Sequence, residues 1–143
     1  MATTLYKTDF YAWTLHQADL LRQEDYADLD RHNLIEEIES IGASERRELD
    51  NRLTILLMHL LKLTYQTHYP PEGWRNTVRE QRRQLRKFLR VNHTLRVQLA
   101  DFIAGAYPDA REDAADETHL PLSTFPEACP WTGEQILDLD WLP

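Results

Sequence analysis

The chain has little of what most functional motifs require. Its 143 residues include one cysteine and four glycines. The lone Cys129 excludes an intramolecular disulfide and suits a reducing compartment. Glycines 42, 73, 105 and 133 stand too far apart to form a phosphate-cradling loop, so nucleotide binding of that kind is excluded. No apolar run is long enough for a bilayer: the longest, "LTILLMHLLKL" at residues 53–63, is interrupted by His59 and Lys62. The N-terminal "MATTLYKTDFYAW" lacks the basic-then-apolar layout of a secretory signal, and the expected location is the cytoplasm. Five of the seven prolines lie beyond residue 107, which leaves a long turn-poor stretch suited to helices and not to a turn-rich β fold.

What is present is the composition of an ordinary globular protein, 42% hydrophobic and 28% charged, neither disordered nor membrane-embedded. The length suits a single helical domain spanning residues 1–143, with one core. The net charge of −8 argues against a surface devoted to nucleic acid. Its distribution is uneven: residues 1–45 carry −7, residues 46–100 carry +8 and residues 101–143 carry −9. A basic centre between acidic ends is what a chain would have if its middle helices paired electrostatically with its outer ones.

Four main helices are expected. The first runs from about Asp9 to Gln23, with Thr8 or Asp9 as cap and Phe10, Trp13, Gln17 and Leu20/Leu21 at helical spacing. Asp28 or Asp30 caps the second, a long helix over about Leu29 to Tyr65. Leu34, Ile38, Ile41, Leu49, Leu53, Leu56, Leu60 and Leu63 trace its apolar stripe, and Gly42 is its one weak point. "THYPPEG" ends this helix and reverses the chain. A basic third helix, residues 74–91, has Trp74, Val78, Gln81, Leu85 and Phe88/Leu89 inside and arginines over most of the rest. "NHT" marks a boundary, with Asn92 suited to a left-handed conformation and Thr94 to capping. The fourth helix, from about Leu95, places Leu99, Phe102, Ile103, Ala106, Ala110 and Ala114 on one side. Pro108 is expected to kink or split it near Tyr107. Residues 120–143 hold too many prolines for a long helix and too many apolar residues for a free tail. They should form a strap on the 1–119 bundle, with one short helix at about Gly133 to Asp138 behind a Thr132/Gln135 capping box.

The second helix puts charge on its inner side. With Leu34 at zero and about 100° per residue, Glu45 falls near 20° and Arg52 near 0°, among the leucines, with Arg46 beside them near 120°. Charges so placed must be paired. The basic helix offers Arg82, Arg83 or Arg86 to Glu45, and acidic edges of the first or fourth helix would serve Arg46 and Arg52. Glu45, Arg46, Arg52 and Arg82 are accordingly read as a register-setting polar layer, or else as a binding site.

Other constellations are weaker. The glutamate-x-x-histidine pairs of carboxylate-bridged metal bundles are lacking; Asp116 with His119, and His32 with Glu36 and Glu39, are the nearest approaches, and no metal or other cofactor is expected. Cys129 is read as a packed thiol before a nucleophile. The basic helix is the best candidate for external binding, with an acidic protein surface favoured over nucleic acid. Arg75, Arg79, Arg83 and Lys87 would carry the nucleic-acid alternative.

At "DFYAWTLHQADLLR", "NLIEEIESIGASERRELDNRL", "LLMHLLKLTYQ", "WRNTVREQRRQ" and "ETHLPLSTFPEACPWTGEQILDLDWLP" the chain closely resembles the bacterial domain of unknown function family 29. The match covers essentially the whole chain in order, and "EEIESIG", "HLLK" and "FPEACPWTGEQILD" together make it specific. The resemblance implies a small helical bundle in the bacterial cytoplasm and carries over no catalytic or cofactor residue. The expectation is a non-enzymatic interaction or regulatory module, antitoxin-like in kind, whose partner is another protein. A homodimer through the alanine side of the fourth helix or the tryptophan-bearing strap is a further option.

Overall fold

The structure, a computed structural model, describes residues 2–66 and 71–143. Among these there are seven α-helices and no strand: α1 (Ala2–Thr8), α2 (Phe10–Arg22), α3 (Arg31–Tyr65), α4 (Pro71–Val91), α5 (His93–Val97), α6 (Leu99–Thr118) and α7 (Gly133–Leu137), with a 3-10 turn at Leu122–Thr124. The fold is all-α, as expected. The chain forms two compact units, Met1–Glu45 and Arg46–Pro143. Helix α3 gives residues 31–45 to the first and 46–65 to the second.

The first unit is organised by Asp30. Asp9 caps α2 by accepting from the Ala12 amide, and Trp13, Gln17 and Leu20 form the buried side of that helix. Asp30 stands at the start of α3, where its carbonyl receives the Leu34 amide. Its carboxylate accepts from the Trp13 indole at 2.9 Å and the Asn33 amide group at 2.8 Å, while its own N–H donates to Gln17 Oε1 at 2.8 Å. Of the two candidate caps, the structure therefore selects Asp30. Hydrogen bonds from Asn33, then from Trp13, hold its carboxyl below the usual carboxylate range against the opposing effect of desolvation.

Helix α1 has no counterpart in the sequence reading, because "ATTLYKT" has no apolar period of its own. Tertiary contact supplies the reason for it. The Tyr6 ring packs edge-on against Phe10 and Trp13, with centroids 5.6 and 4.8 Å away, and its hydroxyl donates to Glu37. That hydrogen bond is the main reason the Tyr6 phenol is pushed up to about 12.

Helix α3 runs unbroken through Gly42, as expected. Its apolar stripe does not face inward throughout: Leu49, Leu53, Leu56, Leu57, Leu60 and Leu61 are fully buried, whereas Ile38 and Ile41 are each 65% exposed. The second unit's core joins those leucines to Val78, Leu85 and Leu89 of α4, to Leu95 of α5 and to Ile103, Ala106, Tyr107, Ala110 and Ala114 of α6. Phe125 and Ile136 of the strap belong to the same cluster. The alanine side of α6 is thus filled from within the chain and is not a free dimer surface. Lys62, with its aliphatic stem mostly covered, reaches Glu117 of α6 at 2.6 Å and lies over the Trp74 ring. This pair and Arg79 with Asp140 are two instances of the basic centre meeting the acidic C-terminal part.

Several boundaries differ from expectation. The reversal read in "THYPPEG" falls largely on residues 67–70, which lie outside the described residues. Helix α4 begins at Pro71, three residues before Trp74, since a proline fits the first turn of a helix, where its missing N–H leaves nothing unmatched. Asn92 adopts φ −126°, not a left-handed conformation, and its side chain donates to the Phe88 carbonyl at the end of α4. The expected fourth helix is two elements, α5 and α6, parted at Gln98. Pro108 does not split α6: the ring is exposed, and the neighbouring Tyr107 is buried with its hydroxyl on the Pro126 carbonyl at 2.6 Å. Packing at Tyr107 outweighs the one intrahelical bond that the proline lacks.

Asp30→Ala should cost about 2–4 kcal/mol, from a lost cap and two buried charge-assisted hydrogen bonds. Because the folded carboxyl lies below its free value, its contribution is complete above about pH 4 and disappears as the pH falls through the folded value. The Trp13 indole N–H resonance should report that loss in an acid titration. A variant that melts like the parent would contradict this assignment.

An arginine clamp and the groove beside it

Helix α4 places Val78, Arg82, Leu85 and Leu89 on one inner side, at i, i+4, i+7 and i+11, and all four are buried. Arg82 is therefore a fully buried cation. The sequence reading expects a carboxylate of the long helix to meet it; backbone carbonyls do so. Nε donates to Ile136 O at 2.7 Å, Nη1 to Trp141 O and Nη2 to Gln135 O at 3.2 Å, and the guanidinium lies 5.8 Å from the Trp141 ring centroid. Burial lowers its pKa, with Asp138 opposing, but a guanidinium starts so high that it stays charged. The planar fork suits this role because one group reaches two carbonyls at the end of α7 and a third beyond it.

The neighbouring turns of α4 extend the clamp. Arg79 donates to Leu139 O at 3.1 Å and to Asp140 at 3.2 Å, and Arg86 to Leu137 O at 3.3 Å. The strap is fixed locally by the capping box foreseen from Thr132 and Gln135: the Gln135 amide donates to the threonine hydroxyl, and the Thr132 amide to Gln135 Oε1. Its first half is tied to α6 through Tyr107 and through Arg111, which donates to Phe125 O at 3.0 Å. Burial raises the Tyr107 phenol to about 12 and pushes the Cys129 thiol up as well. A thiol so held is protonated at neutral pH, which suits packing and not nucleophilic attack.

Beside the clamp lies an open groove of about 1020 Å³. Leu89, Leu99 and Leu137 supply apolar surface, Arg86, Arg90 and Arg96 the basic residues, and Glu134 and Asp138 an acidic margin on the strap side. Arg90 and Arg96 are exposed and have no counter-ion among the described residues. Sequence reading did not single them out. The signal available was "RVNHTLRV", where helical apolar spacing breaks and Val91 and Val97 end up 78% and 71% exposed.

The remaining candidates are dispersed. Glu45 is half-buried and Arg46 exposed. Arg52 turns to Glu48 of its own helix, at 2.7 Å, and not to the acidic edge of another helix. Among the basic residues of α4, Arg75, Arg83 and Lys87 are exposed, and Arg83 lies 3.8 Å from Glu80. His32 pairs with Glu36 at 3.5 Å, but among the described residues no three His, Cys, Asp or Glu side chains converge as a metal site would require. Also among the described residues, no helix is long and apolar enough to cross a membrane.

Fold and site together define an all-α protein whose buried cation fastens a C-terminal strap onto a helical core. The chain belongs to the family described as Domain of unknown function DUF29, whose model matches residues 5–142. No curated protein and no solved structure shows significant likeness to it.

Replacing Arg82 with leucine should lower unfolding free energy by about 2–4 kcal/mol, since three strap carbonyls lose a charged donor. Arg82→Lys should recover only part of this, because an ammonium is a single point of donation. Denaturant titration measures both. Equal stability of the leucine variant and the parent would show that Arg82 does not clamp the strap.

Proposed function

We propose that this protein is a non-enzymatic interaction module of the bacterial cytoplasm, and that its second unit receives an acidic, partly apolar segment of another protein in the groove formed by α4, α5, α6 and α7. One observation carries this reading: Arg90 and Arg96 stand at an apolar-floored groove without counter-ions among the described residues. Exposed cations beside leucine surface suit a peptide that brings both carboxylates and apolar side chains. The lone cysteine and the raised thiol of Cys129 fit a reducing compartment and offer no activated nucleophile.

The nucleic-acid alternative has less support. Arg79, one of its four residues, is engaged with the strap. Exposed Arg75, Arg83 and Lys87 keep the alternative testable.

A fluorescent peptide alternating glutamate with leucine should bind the full chain, and Arg90→Glu with Arg96→Glu should weaken it by about tenfold or more. Both sites are exposed, so the melting curve should be little changed. A single-stranded oligonucleotide measured across salt serves as comparison. If it binds more tightly than the peptide, with a steep salt dependence lost on Arg83→Ala and Lys87→Ala, the nucleic-acid reading replaces this one.

A further inference from the structure

The first unit presents a second surface, of opposite charge, that its own fold does not cover. Among its described side chains those classed as buried are Trp13, Gln17, Leu20, Asp30 and Asn33, of which three are polar. This unit is held by hydrogen bonds around Asp30 more than by apolar burial, and its isoleucines are left over. Ile35, Ile38 and Ile41, at i, i+3 and i+6 of α3, are 46%, 65% and 65% exposed. Such a spacing forms a ridge along one side of a helix, and a ridge of that kind packs against another helix.

Charge selects the occupant. Glu36 and Glu39 are exposed beside these isoleucines, and residues 1–45 carry a net charge of −7. Two copies of this surface brought together would oppose like charges, which disfavours self-pairing. We infer that the Ile35–Ile38–Ile41 ridge is a docking surface for a basic amphipathic helix of another protein, with apolar residues against the isoleucines and lysines or arginines against Glu36 and Glu39. A helix-on-helix seam flanked by complementary charge is a recurrent mode of peptide recognition. This inference does not rest on the groove of the second unit and would survive its failure.

The test uses the full chain and two synthetic helical peptides with leucine at the a and d heptad positions, one carrying lysine and the other glutamate elsewhere. The lysine peptide should bind one to one, at least about tenfold more tightly than the glutamate peptide. Ile38→Asp with Ile41→Asp should weaken it by about tenfold or more, with an unchanged circular dichroism spectrum. That variant separates docking from simple charge attraction, because it adds two negative charges and mere attraction would strengthen. Glu36→Lys with Glu39→Lys should reverse the preference between the peptides. Binding of the lysine peptide that is unaltered or strengthened in the aspartate variant would overturn the inference. So would a wild-type dimer in sedimentation that the aspartate variant converts to monomer, since the ridge would then serve self-association.

Discussion

A guanidinium cannot be neutralised at any ordinary pH, so once Arg82 is placed on the buried side of α4 the chain must supply acceptors there. The helical core itself has none to give, because its carbonyls are taken up by α-helical bonding. The acceptors come from the end of α7 and the segment after it: Ile136 O, Trp141 O and Gln135 O, the last of which also takes the Asp138 amide. The requirement is mutual. The last carbonyls of a five-residue helix need donors, the buried cation needs acceptors, and each removes the other's desolvation cost. Placing Ile136 into the core and α7 beside the groove both follow from that match.

The first unit solves a similar problem with the opposite charge. Asp30 is a carboxylate at a helix start, where α3 has unpaired amides, and Trp13, Gln17 and Asn33 complete its hydrogen bonding. In both units an ionised side chain does at a helix end what backbone bonding cannot. The two differ in what surrounds the charge. Arg82 sits within a cluster of leucines and alanines, whereas Asp30 has few buried apolar neighbours among the described residues. On the first unit Ile35, Ile38 and Ile41 are all exposed, whereas on the second Ile103 and Ile136 are buried and Ile55 is exposed.

How much of this was legible in the sequence depended on whether the decisive contact was local. The helix of Trp13, Gln17 and Leu20, the unbroken passage through Gly42 and the Thr132/Gln135 box all rest on neighbours within a few residues, and all appear as read. Helix α1 was missed because Tyr6 acquires its reason from Glu37, 31 residues on. Arg82 could be placed on the inner side by spacing alone, but its acceptors lie 53 to 59 residues along the chain, and no pattern announces a carbonyl. Ile38 and Ile41 carry the same periodicity as Leu53 and Leu56 yet are exposed, since periodicity reports which residues share a side and not what that side meets. The groove was invisible for the same reason: it exists only where the break around Gln98 and the strap come together.

Arg82 makes the strap an integral part of the second unit. Native-state hydrogen exchange at the Ile136 amide, which donates to Thr132 O at 3.0 Å, tests it most directly. If the clamp holds the strap, this amide should exchange only through the same global opening that releases the amides of α4 around Leu85. Exchange of Ile136 through a separate, much easier opening, with α4 still protected, would show that the strap detaches on its own and that the buried arginine does not hold it.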